Sequence, residues 1–155
     1  RAGLRPWSLA LPDATVHAGA AAVPRVAQKV KRVADVASLQ GRIGPEIQLI
    51  EAPGLRSGEV WVRVGDALYT GDAFANMRGD SAFSRAFLWA FGLGGGLCRN
   101  PWQRRLMATD KPAWDRWLRE TLAALEPRVL IPGHGDVVRS SDLAATLLSM
   151  VPEAG

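Results

Sequence analysis

Two residues able to hold a metal stand in matching places along the 155-residue sequence. Asp72 follows the apolar run Leu68-Tyr69-Thr70 and a glycine; His134 follows Val129-Leu130-Ile131, a proline and a glycine. Each sits where a short strand gives way to a glycine-bearing loop, the kind of place where a rigid base exposes side chains to ligands. A third segment of the same form, LIEAPGLRSG, covers residues 49–58. A carboxylate and an imidazole converging at strand ends are donors that zinc, iron or manganese accept outside thiolate sites. A catalytic zinc usually draws three ligands from protein, so the pair needs company. Taken singly, each residue has a plainer reading. Asp72 can end its strand as an Asx turn or cap a helix, and His134 can be a loop histidine bonded to backbone.

The remaining candidates are few. His17 is the other of the two histidines and Cys98 the one cysteine. This excludes a disulfide framework, a Cys-rich zinc module, and any site taking three histidines from one copy of the chain. His17 lies in a short predicted strand and reads as structural. Cys98 has no histidine near it in sequence and reads as a small buried residue rather than a nucleophile. Asp136, two residues beyond His134, is placed to orient the imidazole. Asp110, Asp115 and Asp136 also read as surface partners for arginine. The glycines between residues 92 and 96 lack the preceding strand of a dinucleotide-binding loop.

Length and composition bound the rest. One domain fits 155 residues, and 48% hydrophobic with 22% charged residues is ordinary for a soluble globular chain. A chain of this size buries a core without staples. The net charge is +4 and the pI about 10.0, with only Lys29, Lys31 and Lys111 as lysine. Codon bias explains such arginine richness. The functional alternative, a nucleic-acid or anionic-membrane surface, has support only at residues 25–32 and 99–105 and is the weaker reading. The sequence opens on Arg without a signal-peptide pattern, and its longest uncharged run, residues 86–98, is too short and glycine-rich to span a bilayer. The expectation is a soluble, cytoplasmic protein, cut from something longer.

The patterning alternates strand and helix, which implies an α/β fold. Residues 1–12 read as a short helical or irregular start and 14–18 as a strand. Residues 22–36 have helical spacing at Val23, Val26, Val30 and Val33, broken early by Pro24. Residues 46–51 and 60–64 alternate as strands, and Gly65-Asp66 signals a hairpin to a return strand at 67–70. Helices are predicted over 81–91, 101–108, 111–125 and from Ser141 or Asp142 to Met150, with a strand at 128–131 and a turn at 132–136. Phe83, Phe87, Trp89, Phe91 and Trp102 crowd one segment. They either pack an apolar stripe on the sheet or form a mobile cover or subunit interface.

These motifs resemble the later half of the metallo-β-lactamase fold superfamily. There, a PGHTPGS loop, an LFTGDA strand end and a late PGHG each supply a metal ligand. The corresponding residues here are APGLRSG (52–58), LYTGDA (68–73) and PGHG (132–135), so the resemblance covers roughly residues 46–138. PDATVHA (12–18) is similar to a PDAxVYA run in a poorly characterised branch of that superfamily. The resemblance implies an αββα sandwich, with Asp72 as bridging carboxylate and His134 as terminal ligand of a second metal, zinc foremost and then iron or manganese. Such a metal would generate hydroxide from bound water at neutral pH for hydrolysis of an ester, amide, thioester or phosphodiester. Two departures stand against activity: Leu55 replaces the first motif's histidine, and the superfamily's HxHxDH loop is absent. By family order that loop would lie just upstream of Arg1. The chain is therefore read either as N-terminally incomplete or as having lost the site. The functions implied are a metal-dependent hydrolase with an incomplete metal site in this chain or, alternatively, a degenerate structural or interaction module. The substrate, a small molecule, is left unspecified. A chain lacking half its sandwich would need a partner to cover its sheet, a homo-oligomer being one such arrangement.

Overall fold

A computed structural model describes residues 4–153. After helix α1 (Leu4–Ala10), strands β1 (Val16–Ala18) and β2 (Val33–Asp35) pair in parallel around the short helix α2 (Val23–Ala27). The helix expected over residues 22–36 thus ends early, and Val33 lies beside Val16 in a sheet. Pro24 is accommodated in the first turn of α2, but the β-branched Val30 and Val33 favour extended backbone over further helix. A 3₁₀ turn, Val36–Leu39, follows β2 and is capped by the Asp35 carboxylate.

The central sheet is built on β3 (Ile47–Glu51), β4 (Val60–Val64) and β5 (Ala67–Tyr69), an antiparallel meander whose second turn is the Gly65-Asp66 hairpin. Next come β6 (Phe74–Met77), α3 (Ala82–Ala90), β7 (Gly96–Arg99), a π-helical turn over Gln103–Met107, and α4 (Lys111–Leu125). The chain then forms β8 (Val129–Ile131), β9 (His134–Gly135), β10 (Val138–Arg139) and α5 (Leu143–Ser149). The five-stranded sheet has the order β10-β8-β5-β4-β3, with β8 parallel to β5. A smaller sheet has the order β7-β6-β9. Helices and mixed sheets together make an α/β fold.

One face of the large sheet makes the core. Trp61, Leu68 and Leu130 occupy in-phase positions and are fully buried against Trp114, Leu118 and Leu122 of α4 and Leu143 and Leu147 of α5. Trp61 meets Trp117 edge-on at 5.0 Å, and Trp117 stacks on Trp114 at the same spacing. Asp110 caps α4 by accepting the Ala113 N–H, and Pro127 lies just beyond the left-handed C-cap, Glu126. The predicted bounds of this helix hold.

The opposite face carries Leu49, Val62, Val64, Tyr69, Val129 and Ile131, alternate residues of neighbouring strands in register. All six are half-buried or exposed, and none joins the core. A sheet this apolar on both faces is made to be covered on both.

Candidate metal centre

Parallel pairing of β5 and β8 brings the two predicted loops together. Tyr69 lies opposite Ile131, so both strands finish at the same edge. The Thr70 N–H donates to Ile131 O, and the Gly133 N–H to Gly71 O at 2.6 Å. A Cβ on Gly133 would stand 2.6 Å from the Gly71 carbonyl, so only glycine lets the loops approach this closely. As a result Asp72 Oδ1 and His134 Nε2 are 3.3 Å apart, each side chain 60% exposed.

The segment beyond His134, expected as a turn, pairs as β9 with β6, Ala75 lying opposite His134. Asn76, itself buried, donates through Nδ2 to Asp136 O, and its own carbonyl accepts the Asp136 N–H. Gly135 is required here: its φ is +93°, and a Cβ would lie 1.9 Å from Asn76 O. Asp136 therefore works through its backbone, and its carboxylate makes no bond to His134.

Beneath the Asp72 turn lies a residue the sequence reading passed over, Glu59. Its carboxylate accepts Trp61 Nε1–H at 2.9 Å, Gln103 Nε2–H at 2.7 Å and the Asp72 backbone N–H at 3.2 Å. Burial pushes its pKa above the ordinary carboxylate range, aided by the nearby Asp72 charge, while the three donors pull it back. A signal for it existed. Glu59 is in phase with the buried Trp61, so strand alternation carries a charge onto the core face.

The other candidates lie elsewhere. Leu55 is buried in the core. His17 Nδ1 lies 3.3 Å from Asp35 O and 3.2 Å from Ser38 Oγ, in the β1–β2 unit. Cys98 sits on β7 opposite Ala75, and burial raises its pKa, the opposite of an activated thiol. Asp115 is not a surface residue: Arg99 and Arg104 both bind its buried carboxylate. The aromatic stripe of α3 does not pack on the sheet. Phe83 and Trp89 are about four-fifths exposed, and Phe91, just beyond the helix, contacts Trp102. Phe87 and Leu88 instead line an open groove with Asn76, Gly135 and Asp136, beside His134 in sequence.

Two donors about 2.1 Å from one tetrahedral zinc stand roughly 3.4 Å apart, so the 3.3 Å separation suits adjacent ligand positions. It also suits an ion pair with a protonated imidazole. Among the described residues no group of three His, Cys, Asp or Glu converges to complete a metal site. Asp72 and His134 by themselves fall short of the three protein ligands a catalytic zinc takes.

No protein-family model matches the chain, and no curated protein matches its sequence. Solved structures do match its fold. The crystal structure of the DIM-1 metallo-β-lactamase exposed to ceftazidime aligns with a TM-score of 0.54 and 18% identity, covering 97% of this chain and 61% of that one. The chemotaxis sensor ODP, in a peroxy diiron species, aligns with a TM-score of 0.52 and 14% identity, covering 99% and 66%. The fold is therefore related to that of the metallo-β-lactamases. The chain spans less than two thirds of the length of either structure. No helix among the described residues is long and apolar enough to cross a membrane.

Proposed function

We propose that these residues form the later part of a metal-dependent hydrolase of the metallo-β-lactamase fold. Asp72 and His134 contribute two ligands, and donors outside the 155 residues, in sequence preceding Arg1, contribute the rest. The observation that carries this reading is the 3.3 Å approach of two potential ligands from separate, parallel strand ends. The backbone bond between Gly133 and Gly71 and the support of Glu59 under Asp72 make that approach a built feature. Zinc is the first metal to test, and the diiron state named for the second structural neighbour makes iron the next. On this reading the substrate is a small molecule.

A second reading, a degenerate module without catalysis, draws support from Leu55, whose apolar side chain is sealed into the core where the resemblance expects a ligand. The two separate by mutation. In protein carrying its upstream sequence, Asp72→Ala and His134→Ala each abolish hydrolysis of ester, lactone and phosphodiester reporters under the hydrolase reading. The degenerate reading predicts no hydrolysis to lose.

A further inference from the structure

Four cationic side chains, Arg99, Arg104, Arg105 and Lys111, line one open groove of about 550 Å³ that includes neither Asp72 nor His134. Behind it Asp115, 5% exposed, binds both Arg99 Nη2 and Arg104 Nε. One carboxylate thus serves two guanidinium groups and leaves a positive charge over. The Arg99 side chain is itself nine-tenths buried. Asp110, beside Lys111, is engaged in capping α4, and no carboxylate among the described residues lines the groove. Arg105 lies over the Trp102 ring, 5.9 Å from its centre. Arg104 bonds Asp115 through Nε, and its terminal amino groups have no partner among the described residues.

Surplus positive charge held in place beside a buried ion pair is costly until an anion completes it. Guanidinium forks fit the paired oxygens of a phosphoryl group, and ammonium adds a point charge. The cavity volume lies within the ~300–1,000 Å³ of small-molecule sites. The four cations gather on one groove of small-molecule size, which favours a compact anion over an extended nucleic-acid backbone. We propose that this groove binds the phosphoryl group of a small phosphorylated molecule.

The test titrates inorganic pyrophosphate into the metal-free protein at low salt, followed by calorimetry and backbone amide shifts. Saturable binding is expected, with shifts at Arg104, Arg105 and Lys111. The double variant Arg105→Glu/Lys111→Glu, at exposed positions that leave the fold intact, weakens it at least about tenfold. His134→Ala leaves it unchanged. No saturable binding, binding the double variant retains, or binding that His134→Ala removes would each overturn the proposal. A single-stranded oligonucleotide of about 20 nucleotides forms a second arm. Tighter binding of it than of pyrophosphate, through the same residues and with a steep salt dependence, would replace the small ligand by a nucleic-acid backbone.

Discussion

The carboxylate of Glu59 accepts the backbone N–H of Asp72 at 3.2 Å, so a half-buried acid supports the turn that presents an exposed one. Three donors converge on that carboxylate, and a glutamine cannot accept all three, because its amide nitrogen faces donors with a donor. Glu59→Gln should cost about 1–3 kcal/mol in denaturant unfolding. The pH dependence has a defined sign. The folded-state pKa of Glu59 is raised, so its stabilising contribution is fullest below the unfolded value of 4.5 and declines as pH rises through the raised folded value. The deficit of Glu59→Gln relative to the parent is therefore largest near pH 4 and narrows toward neutrality. A deficit that widens with pH contradicts this.

Gly135→Ala tests the junction that fixes His134. Positive φ and a Cβ 1.9 Å from Asn76 O leave no room for a side chain. The β6–β9 pairing must open, at a cost of roughly 2–4 kcal/mol by chemical denaturation. Gly65→Ala, whose Cβ meets nothing within 4 Å, carries only the backbone strain and should cost less.

Asp115→Asn removes the carboxylate shared by Arg99 and Arg104 and leaves the largely buried Arg99 without a counter-charge. Breaking a buried pair in this way costs about 3–5 kcal/mol, measurable as a lowered denaturation midpoint. Asp13→Asn, from the exposed pair with Arg32, serves as the control and should change stability by less than about 1 kcal/mol.

The uncovered face of the large sheet predicts association of these 155 residues on their own, a second copy covering Val62, Tyr69 and Ile131. Val64→Lys with Ile131→Lys, both at partly exposed positions, should shift sedimentation toward monomer. A parent chain that stays monomeric across the concentration range would refute the association.

How much of this was legible in the sequence depended on how local the determinants are. The α4 helix was readable because its apolar face repeats between Asp110 and Pro127, both visible punctuation. The same wheel placed Asp115 with Leu118 and Leu122, yet a lone aspartate among arginines resembles any surface pair. The strand Phe74–Met77 went unread because its first three residues are all buried and show no alternation. Gly96–Arg99 went unread because it begins in glycines. Asp72 and His134 could each be singled out from the glycine that precedes them. Their meeting depends on parallel pairing of strands about sixty residues apart, with α4 in the crossover, which no local pattern encodes.

The central claim, that Asp72 and His134 are two ligands of one metal centre completed from outside these residues, is tested most directly by metal analysis. Protein carrying the sequence upstream of Arg1 is purified without added metal, and its zinc, iron and manganese are quantified by mass spectrometry beside the Asp72→Ala and His134→Ala variants. The account predicts stoichiometric metal in the parent and an affinity at least about tenfold weaker in either variant. A parent without metal, or variants that retain it at the parent's affinity, would contradict it.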